Sequence, residues 1–145
     1  MTPQGKLSDT DFRLLAGAKG YFFQACIDSF PFLLEFGFRS ILEDVGRDCY
    51  RVTFKQDRPS GYFTIRVYQD CDDMLWCDLE GYSGHEVRIR LNNACQSLKV
   101  ACPSTRLPHG PLQVAVEQTV GAIAAVISTH LSELCEIVCK EPVVT

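Results

Sequence analysis

The chain changes its hydrophobic period twice. Between residues 21 and 34 apolar side chains recur every three or four positions, at Phe22, Phe23, Cys26, Ile27, Phe30, Leu33 and Leu34. That spacing lines them up on one face of a helix. The helical region is expected to run from Ser8 to Phe36, with Ser8 or Asp9 as cap and Asp11 in the first turn, where the helix dipole favours acid. Gly17 and Gly20 weaken its middle. Pro31 would cost a backbone hydrogen bond inside a regular helix, so a break is expected there. Gly37 is placed to end the last turn in the left-handed conformation.

From Phe38 the period drops to two, and Phe38 to Glu43 reads as a first strand. Tyr50, Val52 and Phe54 then alternate with Arg51, Thr53 and Lys55. Phe63, Ile65 and Val67 alternate with Tyr62, Thr64, Arg66 and Tyr68. Leu75, Cys77 and Leu79 alternate with Met74, Trp76 and Asp78, and Val87, Ile89 and Leu91 with Arg88 and Arg90. Turn-forming runs such as Asp57-Arg58-Pro59-Ser60-Gly61 separate these segments. Short alternating strands joined by turns predict an antiparallel meander with one apolar and one polar face. Ser97 to Ala101 reads as a further short edge strand.

The helical period returns from Pro111 to Val138, where Leu112, Val116, Val120, Ile123, Ile127, Leu131, Leu134 and Val138 form one stripe. Gly121, Ala125, Ser128 and Ser132 form a second stripe of small residues, suited to packing on the N-terminal helix or to a helix-mediated homodimer. The expected fold is α+β in a single domain over residues 1–145. It has N-terminal helices, a four- to five-stranded antiparallel meander sheet, and one long C-terminal helix packed on one sheet face, because each element has a single apolar side to bury.

Composition narrows the function. A chain of 145 residues fits one domain. Its 14 basic against 18 acidic residues give a net charge of -4, which argues against nucleic acid as partner, since such binding rests on a basic excess. The longest uninterrupted apolar run, Ala122 to Ile127, is far short of the roughly 20 residues of a bilayer span. Met1 to Thr10 lacks the basic-then-apolar layout of a signal peptide, so the protein is expected to be cytoplasmic, with no membrane partner. The eight cysteines include no CxxC pair, and Cys135 and Cys139 offer half of a zinc site with nothing to complete it. They read as reduced, buried thiols. His85, His109 and His130 have no ligand spacing, so neither metal nor cofactor is expected. Asp70, Asp72 and Asp73 resemble part of a calcium loop, but Met74 and Leu75 stand where it needs a ligand and a glycine. The run reads instead as a solvated turn, or as an acidic cluster meeting a basic partner. No GxSxG, P-loop or GxGxxG occurs, so the chain is read as no enzyme.

The polar sheet face is the more telling feature. The alternation gives it Arg51, Thr53, Lys55, Tyr62, Thr64, Arg66, Tyr68, Met74, Trp76, Asp78, Arg88 and Arg90. Tyr, Trp, Met and Arg are the types enriched in interface cores and among energetic anchors. The plain reading is a solvated face held by cross-strand pairs such as Arg66 with Asp78. The functional reading is a protein-binding surface carried by Arg51, Tyr62, Arg66, Tyr68 and Trp76, with an acidic rim at one end made by Asp70, Asp72, Asp73, Asp78 and Glu80.

The stretch Phe32-Leu33-Leu34-Glu35-Phe36-Gly37-Phe38-Arg39, running into Tyr50–Lys55 and Tyr62–Asp70, resembles small bacterial helix–sheet–helix proteins in which "LLEFGF" leads into paired strands. Several of those resemble immunity proteins encoded beside toxins. The resemblance covers residues 30–80 and implies a cytoplasmic, noncatalytic inhibitor that binds and occludes one cognate toxin. Acidic loops would complement a basic toxin domain and speed its association. A helix-mediated dimeric chaperone or adaptor, and a cysteine-dependent enzyme, are the alternative readings.

Overall fold

The computed structural model describes residues 20–46, 49–70 and 74–140. The proposed caps Ser8 and Asp9, with Asp11 and Gly17, lie outside the described residues. The first helix, α1, spans Gly20–Ser29, and a single turn, α2, spans Pro31–Leu34. Pro31 sits at the first position of α2, where the missing N–H has no helical partner to lose. Gly37, at φ +82°, closes this turn. The Phe38 N–H donates to the Leu33 carbonyl (3.2 Å) and the Gly37 N–H to that of Leu34 (3.1 Å), the paired bonds of a Schellman cap. The LLEFGF segment is thus a helix stop. It drives Phe38 into the core, where its ring meets Phe63 edge-on at 5.7 Å.

Five strands follow: β1 Arg39–Gly46, β2 Cys49–Arg58, β3 Gly61–Asp70, β4 Met74–Ser83 and β5 Glu86–Arg90. They form one antiparallel sheet in sequence order, an uninterrupted meander. Directly opposed residues share a face. One face therefore stacks Leu42, Val52, Val67 and Cys77 in one row and Phe54, Ile65, Leu79 and Ile89 in the next. Among these, Val52, Ile65, Val67 and Leu79 are wholly buried.

Beyond β5 the sequence reading needs correction. Ser97 to Ala101 is not an edge strand; a helix, α3, spans Leu91–Leu98. Leu91, Ala94 and Cys95 are buried with Leu98 packed beside them, a helical spacing that outweighs the short apolar run at its end. Lys99 stops α3 in the left-handed conformation at φ 59°. The chain then returns to β4, where the Leu75 N–H donates to the Thr105 carbonyl (2.6 Å), covering the end that β5 does not reach.

The long helix, α4, spans Leu112–Cys139 and packs against α1 and the apolar face of β4. Its predicted stripe is buried from Val116 to Val138; Leu112 alone is exposed. By length and composition α4 is apolar enough to cross a bilayer, as the core helices of soluble proteins also are. It bends at His130, one residue after Thr129, whose hydroxyl donates to the Ala125 carbonyl (2.8 Å). Such back-bonding loosens a helical ladder. The small-residue stripe does not pack on α1: Ala125, Ser128 and Ser132 are exposed, and nothing lies within 4 Å of a Cβ built on Gly121. Gly121→Ala should therefore raise stability by about 0.5–1 kcal/mol, read from chemical denaturation midpoints, because helix propensity improves with no steric penalty.

Candidate functional site

Helices cover one face of the sheet, and among the described residues the other lies open. Its side chains are ordered by register. One row runs Glu43, Arg51, Tyr68, Trp76; the next Ile41, Thr53, Arg66, Asp78, Arg90; the third Arg39, Lys55, Thr64, Glu80, Arg88; the fourth Asp57, Tyr62, Tyr82, Glu86. The first three rows hold six basic side chains (Arg39, Arg51, Lys55, Arg66, Arg88, Arg90) against three acidic ones (Glu43, Asp78, Glu80). The fourth row adds Asp57 and Glu86, so across the whole face six basic side chains meet five acidic ones, close to charge balance in a chain of net charge -4.

These groups hold one another in place. The Asp78 side chain is only 7% exposed and accepts from Arg88 Nη2 and Arg90 Nε, both at 3.2 Å. Tyr68 accepts from Arg90 Nη2 at 2.9 Å and donates to Asp78 at 3.5 Å. Burial, then the neighbouring Asp78, pushes the Tyr68 phenol above its ordinary value, so it keeps its proton for that bond. The Arg90 guanidinium lies 4.3 Å over the Trp76 ring, a cation–π contact. Arg51 grips Glu43 with two bonds (3.1 and 2.9 Å). Tyr62 donates to Glu80 (3.0 Å), which also sits 3.6 Å from Arg66, while Lys55 lies 4.9 Å over the Tyr62 ring. Tyr62 stacks on Tyr82 at 5.9 Å. Two shallow depressions of about 370 and 350 Å³ open on this face, and Arg51 and Arg66 line both.

The structure gathers most of the expected residues and rearranges their roles. Arg51, Tyr62, Arg66, Tyr68 and Trp76 lie together on the open face. Asp78 is not part of a rim but the buried centre of the lattice, and Glu80 is enclosed beside it. Arg66 and Asp78 do stand directly opposite each other, yet the ion pair of Arg66 goes to Glu80. Asp70 ends β3 at the margin, where the Cys49 thiol approaches it at 3.9 Å. Asp72 and Asp73 lie outside the described residues. The sequence reading missed the contribution of β1, whose Arg39, Ile41 and Glu43 complete the face; consecutive Ile41 and Leu42 hid its alternation.

Among the described residues no three His, Cys, Asp or Glu side chains converge where a metal could bind. No histidine lines either depression. Burial pushes the thiols of Cys26 and Cys77 up, and that of Cys95 up to about 11, away from the reactive thiolate. Native alkylation with iodoacetamide, mapped by peptide mass spectrometry, should therefore modify exposed Cys102 well before Cys26, Cys77 or Cys95 among the described thiols. Comparison with protein-family models, curated proteins and solved structures finds no match to this chain.

Proposed function

We propose that the chain is a noncatalytic binding protein that docks a protein partner on its open sheet face. Within that class we read it as a cytoplasmic, immunity-type inhibitor that occludes a toxin encoded beside it. The observation that supports this is a solvent-facing layer of Arg, Tyr and Trp side chains already fixed by mutual bonds. Anchors that are rigid before binding lose little conformational freedom on binding. The six basic side chains favour carboxylates and carbonyls on the partner surface opposite them. A basic patch on the same partner would meet Asp70 at the margin of the face.

The test is calorimetric titration of the purified chain with the product of the adjoining toxin gene. Trp76→Ala combined with Arg88→Ala should weaken binding at least tenfold, since buried aromatic and arginine anchors dominate interfaces. Circular dichroism would verify that the double variant is folded. Undiminished affinity rejects the sheet face as the docking surface, and no binding by the wild-type chain rejects the toxin partner.

A further inference from the structure

We propose that β1 is a self-pairing edge through which two copies of the chain join their sheets, antiparallel, about a two-fold axis at Ile41. Among the described residues β1 is bonded on one side only, by β2. Over Arg39–Glu43 no other described strand pairs with its far side, whose main-chain N–H and C=O groups are a template for another strand. The two edges of the sheet are treated differently. β5 is five residues long, carries Glu86, Arg88 and Arg90, and is followed by chain that pairs with the start of β4. β1 carries as many charges, Arg39, Glu43 and Asp44, and an irregularity between Asp44 and Gly46, but it is eight residues long, has neither Pro nor Lys, and exposes Ile41 (46%) and Val45 (56%).

The sequence of β1 matches itself in reverse. With Ile41 on the axis, residue 39 stands opposite residue 43 of the second copy. Arg39 then meets Glu43 twice, once on each side of an Ile41–Ile41 contact. Moving the axis to Leu42 sets Glu43 against Ile41, and moving it to Glu43 sets that carboxylate against itself. Cross-strand pairs of opposite charge stabilise a sheet and like charges oppose it, so the register is selected by charge. Arg39 is free to turn, because its present pair with Asp57 (3.2 Å) is exposed on both sides, at 55% and 69%. Glu43 keeps Arg51, and each of its oxygens has a second lone pair to offer. The result is a ten-stranded sheet whose open faces run together, doubling the surface described above without covering it.

Sedimentation equilibrium of the full chain, with no partner present, tests this apart from toxin binding. The wild type should associate to a dimer as concentration rises. Glu43→Arg or Arg39→Glu alone should raise the dimer Kd about tenfold, since symmetry counts each reversal twice. The double swap, Arg39→Glu with Glu43→Arg, should restore association. A wild type that stays monomeric at the highest attainable concentration overturns the proposal. So does a dimer indifferent to these charges but lost on Ala125→Arg, which would place the contact on α4.

Discussion

Replacing Gly81 by alanine should lower the unfolding free energy by about 3 kcal/mol and the melting temperature by roughly 10 °C, read by thermal and chemical denaturation. Gly81 lies on the covered face of β4, between Phe63 on β3 and Val87 on β5. The end of α4 rests directly on it. A Cβ there would stand 2.6 Å from the Val138 carbonyl oxygen and 2.7 Å from Cys139 Sγ. The first of these is main chain, which cannot swing aside as a flexible side chain would. The last turn of α4 must lift, and with it Val138 and Cys139, each 1% exposed, begin to leave the core. The bond from the Cys139 thiol to the Tyr62 carbonyl (3.4 Å) is also put at risk. Glycine in a strand usually weakens it, but here the missing side chain is what lets helix and sheet approach. Gly121→Ala, in the same protein, has the opposite expected sign because its surroundings are empty.

That contrast shows what the sequence can and cannot disclose. Both glycines sit within strongly patterned segments, and nothing in the pattern tells a needed gap from a tolerated one. The meander was legible because alternation is a local property: Val52, Phe54, Ile65, Val67, Cys77 and Leu79 all face the core as their spacing implies. The α4 stripe was legible for the same reason. The helix α3 was not, because eight residues carrying Asn92, Asn93, Gln96 and Ser97 give too short a period to separate from a loop or strand. The open face was legible as a list of residue types but not as a lattice. Alternation assigns a side chain to a face. Only register decides that Asp78 falls between Arg66 and Arg90, and only packing decides that it is enclosed while Asp70 stays at the margin.

The lattice has a central dependency, and Asp78→Ala should expose it with a loss of about 2 kcal/mol in stability, within the range for hydrogen bonds to charged groups. Arg88 and Arg90 are 56% and 39% exposed, so they can turn to water, and the penalty stays below that of a fully buried pair. What is lost beyond stability is position. Without the carboxylate, Tyr68 loses its acceptor, and Arg88 and Arg90 lose the charge that holds them together, while Arg66 keeps Glu80. Trp76 then loses the guanidinium now seated on its ring. Asp78→Asn keeps the shape and one acceptor oxygen and should lose less in both respects. If the face binds as a preorganised surface, toxin affinity in Asp78→Ala falls about tenfold at a temperature where the variant is still folded, a drop of about 1.4 kcal/mol. Gly81→Ala, destabilised more but with an intact outer face, provides the comparison. It should bind like the wild type once folded, and an equal loss of affinity in the two variants would mean that binding follows overall stability and not the arrangement of the open face.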